Sequence, residues 1–326
     1  MKKSFVLRKA IMGATAMLLL SFSLAACSNK SAEAPAETAV AEEEKETPAE
    51  SAPAESEKKE EAPAETAAAE SEKEEESSGD ASADSIDVDA LIKDAEAGDA
   101  EAQVRLGFLY YYGEGVEQDF DKAVEWFRKS AEQGQVQAQC MLGNCYILGE
   151  GVEQDYEKAV EWLTKSAEQG YSLAQNQLGL CYDNGDGVEQ DFEKAAELYT
   201  KAAEQGLSLA QNNLANLYYY GQGVEQHYVK AAELYTKAAE QGFAEAQFNI
   251  GSLYYFGEGV EQDTTKAIEW FTKAAEQGHA EAQYSLGYLY SRGDGVEQDN
   301  EKAIEWFTKA AEQGHERARR NLEQMK

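Results

Sequence analysis

The sequence predicts an all-α protein: six helix-pair repeats of 36 residues stacked side by side, with a shorter polar helix at each end. Three observations predict it. Gly98, Gly134, Gly170, Gly206, Gly242, Gly278 and Gly314 stand 36 residues apart without one insertion or deletion, and a period of that size marks a solenoid of helix pairs. Each copy holds two apolar stripes at helical spacing, separated by a Gly-x-Gly break. One copy alone has too few large apolar side chains to offset the entropy of ordering its backbone, so its neighbours must complete its core.

The elements follow in order. Residues 1–26 read as a signal peptide: Lys2, Lys3, Arg8 and Lys9 precede an apolar run from Ala10 to Ala26 that is short for a bilayer span. The run ends Leu24-Ala25-Ala26-Cys27, which resembles a bacterial lipobox. That resemblance implies cleavage before Cys27 and acylation of its thiol. Residues 27–85 form an acidic linker of Ala, Glu, Ser, Thr and Lys that also holds Pro35, Pro48, Pro53 and Pro63, with little to bury. Such a chain stays disordered and self-repelling, reaching on the order of 40–50 Å as a coil.

Residues 86–97 read as an N-capping helix, with Ala90, Leu91 and Ala95 in the columns of Trp126, Phe127 and Ala131. The six repeats occupy 98–313. In the first, Ala102, Leu106, Leu109 and Tyr110 form a buried stripe, and Gly113 is placed for a left-handed C-terminal cap. Asp119 then caps a second helix with the stripe Ala123, Trp126, Phe127 and Ala131. Glu125 and Lys129 stand four apart, an expected ion pair that recurs in every copy through Glu305 and Lys309. Residues 314–326 close the array, with Arg317, Arg319 and Arg320 making that end polar.

Charge narrows the functions. The 29 Lys and Arg face 62 Asp and Glu, a net charge of −33, which falls to about −37 once residues 1–26 are removed. A polyanion repels phosphate backbones and acidic lipid, so nucleic acid is excluded as a partner and the membrane is reached only through the lipid on Cys27.

The repeat resembles the Sel-one-like repeat, a relative of the tetratricopeptide repeat. In the fifth copy the matching residues are Ala246-Gln247, Ile250-Gly251, Leu253-Tyr254, Gly257, Gly259-Val260, Asp263, Lys266-Ala267, Trp270 and Ala275-Glu276-Gln277-Gly278. The resemblance implies a right-handed α/α superhelix that binds proteins or peptides on its concave side. Departures are Ala215 for Gly, His227 for the capping Asp, and Leu198 and Leu234 for Trp. Helix-bridging Cys pairs of one secreted branch are missing, so no disulfides are carried over.

Specificity should lie in the columns that differ between copies. On the first helix these begin at Val104, Phe108, Tyr111 and Tyr112. In related repeats this face lines a groove where asparagines hold a peptide backbone. Asn144, Asn176, Asn212 and Asn216 form such a centre, because an amide offers both donor and acceptor. Phe108 and Tyr111, then Tyr219, Tyr220, Phe248, Tyr255, Phe256, Tyr284 and Tyr288, supply aromatic contact area. The alternative is that the aromatics pack between adjacent first helices and the asparagines are simply solvated.

Cys145 and Cys181 share a column that is Leu in other copies and read as small buried hydrophobes, Cys140 points to a different side, and all three are expected to be free thiols. His227, His279 and His315 lie on separate repeats and form no metal triad, and no phosphate loop or nucleophile grouping is visible. No enzyme activity, catalytic residue, metal or cofactor is therefore expected. The chain reads as a monomeric, lipid-anchored adaptor of the bacterial envelope that binds a protein or peptide, with basic partners favoured. If two membranes are present it belongs on the outer one, and if one, on its outer leaflet. The other readings are a surface factor contacting host or neighbouring molecules and, more weakly, a hydrolase or glycan-binding envelope protein.

Overall fold

The computed structural model describes residues 87–325. The signal peptide, Cys27 and the acidic linker therefore lie outside the described residues. The described chain is entirely helical. It runs α1 (Val88–Glu96), α2 (Ala100–Tyr112), α3 (Phe120–Glu132), α4 (Val136–Leu148), α5 (Tyr156–Glu168), α6 (Ser172–Asn184) and α7 (Phe192–Glu204). It continues with α8 (Ser208–Tyr220), α9 (Tyr228–Glu240), α10 (Ala244–Phe256), α11 (Thr264–Glu276), α12 (Ala280–Arg292), α13 (Asn300–Glu312) and α14 (Glu316–Gln324). Each helix packs chiefly on the one before it and the one after it, so the core is a continuous strip and the architecture is a solenoid.

Local chemistry sets the helix limits. The Asp119 carboxylate accepts the Lys122 N–H at 3.0 Å, and the same bond recurs at Asp155, Asp191, Asp263 and Asp299. In the fourth copy His227 substitutes with its Nδ1, which accepts the Lys230 N–H at 3.3 Å. The two glycines of each Gly-x-Gly break do different work. Gly149 ends α4 in the left-handed region at φ +73°, where only glycine is unstrained. Gly151 lies so close to α3 that a Cβ would sit 2.2 Å from the Phe120 carbonyl oxygen. One glycine stops a helix and the other seats a repeat on its predecessor.

Between helices, the Ala-Gln and Glu-Gln-Gly motifs meet. Gln139 is buried, donates to the Ala131 carbonyl at 3.2 Å and accepts from Gln169 at 2.8 Å. Gln103 donates in the same way to the Ala95 carbonyl at 3.0 Å, so α1 stands where the second helix of a preceding repeat would stand. Buried amides must find partners, and these glutamines find them one helix back and one helix forward.

Two expectations about the second helix change. Trp126 is only half-buried. The Lys129 ammonium lies 3.9 Å from its ring centroid, and Lys165, Lys273 and Lys309 repeat this over Trp162, Trp270 and Trp306. The Glu–Lys pair four residues apart forms, among the described residues, only at Glu305–Lys309. The pair is absent too where Leu198 and Leu234 replace Trp, and Lys309 makes both contacts, so the indole is not what excludes it; an exposed pair of this kind contributes little to begin with. The ion pairs that recur are instead those of Lys122, Lys158, Lys194, Lys266 and Lys302 with the capping aspartates.

Candidate protein-binding face

The first helices are buried on more sides than one stripe explains. A first helix packs on its own second helix and on that of the preceding repeat. Small residues allow this approach: a Cβ on Gly251 would lie 2.8 Å from the Phe271 ring, and one on Gly107 2.6 Å from Phe127. The column expected to open onto a groove is consequently closed. Val104, Cys140, Asn176, Asn212, Phe248 and Tyr284 are all buried.

Each asparagine is engaged within the stack, Asn176 and Asn212 buried and Asn144 and Asn216 half-buried. Asn176 accepts the Asn213 side-chain amide and Asn212 that of Asn249, both at 3.1 Å, while Asn144 accepts from Gln177 at 3.3 Å. Asn216 accepts the hydroxyl of the fully buried Tyr235. Sequence spacing placed these amides together, but it could not show that each finds its partner on an adjacent helix.

A second set of bonds runs from a tyrosine to an acid 39 residues on. Tyr219 donates to Glu258 at 2.8 Å and Tyr255 to Asp294 at 2.9 Å, and the buried Tyr111 donates to Glu150. Burial and then the facing carboxylate push the Tyr111 hydroxyl well above its ordinary value. Where the column holds Asp183, the residue 39 on is Gln222 and not an acid. Asp183 instead accepts the Tyr199 hydroxyl at 3.1 Å, and burial raises its carboxyl in spite of that bond.

The aromatics do converge, in the C-terminal half. Phe248, Tyr255, Tyr284 and Tyr288, with Phe256, Ser252, Ser285 and Glu281, line a shallow open cleft between α10 and α12. The cleft exists because two columns are small there. Ser252 stands where other copies carry Phe108 or Leu180, and Ser285 where they carry Met141, Gln177 or Asn249. Both hydroxyls turn back onto their own helices, to the Phe248 and Glu281 carbonyls. Comparing columns for lost bulk would have flagged both serines; looking for aromatic side chains did not.

Behind the cleft, histidines brace the wall. His279 caps α12 through Nδ1, contacts Glu245 at 2.9 Å through Nε2 and stacks on Phe248 with ring centroids 4.9 Å apart. His315 repeats this on α14, with Glu281 at 3.0 Å and the Tyr284 ring at 4.5 Å. Burial would raise the Glu281 carboxyl, but His315, His279 and Arg317 together outweigh it and the group is held low. The remaining predicted residues lie elsewhere. Phe108 is half-buried and stacks on Tyr112, 6.2 Å away; Tyr219 is half-buried and Tyr220 exposed, their rings edge-to-face at 5.0 Å.

Cys140, Cys145 and Cys181 are buried thiols. Burial pushes Cys140 up to about 12 and Cys145 higher still, the setting of structural and not reactive cysteines. Among the described residues, no three His, Cys, Asp or Glu side chains gather as a metal site, and no helix is long and apolar enough to cross a membrane.

The fold is thus an α-solenoid of helix hairpins, whose variable parts are a buried amide ladder and an aromatic cleft. The chain belongs to the Sel1 repeat family, whose pattern matches six consecutive segments, residues 100–135, 136–171, 172–207, 208–243, 244–279 and 280–315. Among solved structures it is similar to a protective antigen of uropathogenic Escherichia coli with an SLR fold, at 36% identity and a TM-score of 0.60. That match covers 73% of this chain and 58% of the antigen's length. It is also similar to a Sel1 repeat protein from Oxalobacter formigenes, at 30% identity and a TM-score of 0.62, covering 68% of this chain and 96% of that one. No curated protein matches. Sel1 repeat proteins are generally scaffolds for protein interaction, and the solenoid is typically non-catalytic.

Proposed function

We propose that this protein is a lipid-anchored adaptor of the bacterial envelope that holds a protein or peptide on the face formed by its first helices. The observation that carries the reading is the aromatic cleft between α10 and α12, where the half-buried Tyr255 and Tyr288 stand at the opening over the buried Phe248 and Tyr284. Tyrosine and phenylalanine give much contact area for little lost side-chain freedom, as binding hot spots require. The anchor rests on Cys27 and the run before it. The acidic linker is the spacer that carries the array away from the lipid surface. Photo-crosslinking from Tyr288 in intact cells tests the binding: a recovered polypeptide supports it, and crosslinks to lipid or glycan alone refute it. Fractionation tests the anchor, since Cys27→Ser should move the chain from the membrane to the soluble fraction.

A surface-exposed role is the second reading. It is favoured by the likeness to an E. coli protein described as a protective antigen, a description that belongs to that protein. Protease treatment of intact cells separates the two: cleavage of the array supports surface display, and protection supports an inward-facing adaptor.

A further inference from the structure

Five large apolar side chains of the described residues are notably exposed, and four of them, Tyr220, Tyr228, Val229 and Phe256, belong to copies four and five. They lie at one edge of the stack, where first helices end and second helices begin. Tyr220 and Phe256 are the last residues of α8 and α10, and Tyr228 and Val229 the first two of α9. The turn after α10 is pressed onto the start of α9, since a Cβ on Gly259 would sit 2.4 Å from the Tyr228 carbonyl. Tyr219 ties the same turn down through Glu258. Phe256 also forms part of the cleft wall, so the exposed patch continues into the cleft.

This edge departs from the rest of the array in charge as well. Helices α3, α5, α7 and α13 begin with Asp121, Glu157, Glu193 and Glu301, whereas the first turns of α9 and α11 hold no acid. A neutral, apolar window therefore opens in a chain of net charge −33. Around it the two turns carry Glu225, Glu258, Glu261 and Asp263, against Lys230 and Lys266 in the first turns of α9 and α11. An acidic partner is repelled there, and a wholly polar one gains nothing from the apolar centre.

We infer that Tyr220, Tyr228, Val229 and Phe256 are the docking surface for a partner segment that presents an apolar anchor flanked by lysine or arginine, with the anchor seated against Phe256 at the mouth of the cleft. This rests on the reading that the array binds polypeptide, and it names the chemistry of the segment. The test uses the full-length chain in detergent and three fluorescent peptides. One has a tryptophan-leucine core with three lysines on each side, one has the same core flanked by glutamates, and one has a serine-glycine core flanked by lysines.

The first peptide should bind at least tenfold more tightly than the other two and weaken as salt rises. The exposed double variant Val229→Ser with Phe256→Ser, its helicity checked by circular dichroism, should lose at least tenfold. Ile304→Ser, the fifth exposed apolar position, should leave binding unchanged. Equal affinity for either control peptide, full binding by the double variant, or no binding of the first peptide overturns the inference. Crosslinking in cells keeps the two ideas apart: if polypeptide crosslinks from Tyr288 persist in the double variant, polypeptide binding stands and this docking surface falls.

Discussion

Gln133 donates its side-chain amide to the side-chain carbonyl of Gln103, 2.8 Å away across 30 residues of sequence. The same bond closes each of the five later copies. Because the inner glutamine also donates to the second helix of the preceding repeat, each pair joins three helices with two bonds.

Replacing Gln247 by Ala should cost more than replacing Gln277. Gln247 is buried, and its loss removes two bonds at once, leaving the Ala239 carbonyl only backbone donors, the Gly242 N–H among them, and the Gln277 amide only the Lys273 carbonyl. The expected loss is about 1–3 kcal/mol, against about 1 kcal/mol or less for Gln277→Ala, whose site faces water. Urea unfolding followed by circular dichroism measures both. The double variant should lose less than the sum of the singles, and strict additivity would mean the pair is not coupled.

Three alanine substitutions at glycines should rank by geometry. Gly134 has φ +89° and no heavy atom within 4 Å of where a Cβ would stand, Gly149 has φ +73° with Gln154 at 3.4 Å, and Gly151 has φ +68° with the Phe120 carbonyl oxygen at 2.2 Å. All three bear the left-handed penalty of about 1–2 kcal/mol. Gly151→Ala must also displace backbone, adding about 1–3 kcal/mol. Thermal melts that place Gly151→Ala no lower than Gly134→Ala would contradict the contact between repeats.

His227→Asp should stabilise the fourth copy at neutral pH by restoring a charged cap, by about 0.5–1 kcal/mol. The five existing caps set the sign with pH. At Asp119, Asp191, Asp263 and Asp299 the backbone N–H bond, and at Asp155 chiefly the lysine side chain, holds the carboxyl below its ordinary value. A lowered folded value means stability that is present above the unfolded value and lost as pH falls through the folded one. The gain from His227→Asp should therefore begin to shrink below about pH 4 and be lost only as pH falls through the lowered folded value, as melts across pH would show.

The three repeat cysteines should resist alkylation in the folded chain. Iodoacetamide at pH 8, applied to Cys27→Ser protein, should leave Cys140, Cys145 and Cys181 unmodified over minutes and label all three in urea, read by intact mass. Rapid native labelling at Cys140 would show that the column between first helices opens.

Much of this was legible in the chain. Gly113 and Asp119 announce where α2 ends and α3 begins, because capping chemistry acts within a single turn. Tyr255 and Tyr288 stand out as aromatic in the sequence and line the cleft, whereas Asn176 and Asn212, which read as the centre of a groove, are buried. An amide that could bind a ligand and one that stitches helices have the same sequence signature. Their difference is burial, which depends on residues 37 positions away.

The sequence by itself determined the period, the helix limits, the caps and the all-helical class, since each follows from side chains within a few residues of one another. The tertiary structure alone decided which amides are spent inside the stack and where a cleft opens. Those outcomes depend on the bulk and reach of side chains from two or three adjacent helices at once. Ser252 and Ser285 leave space only because α10 and α12 lie side by side.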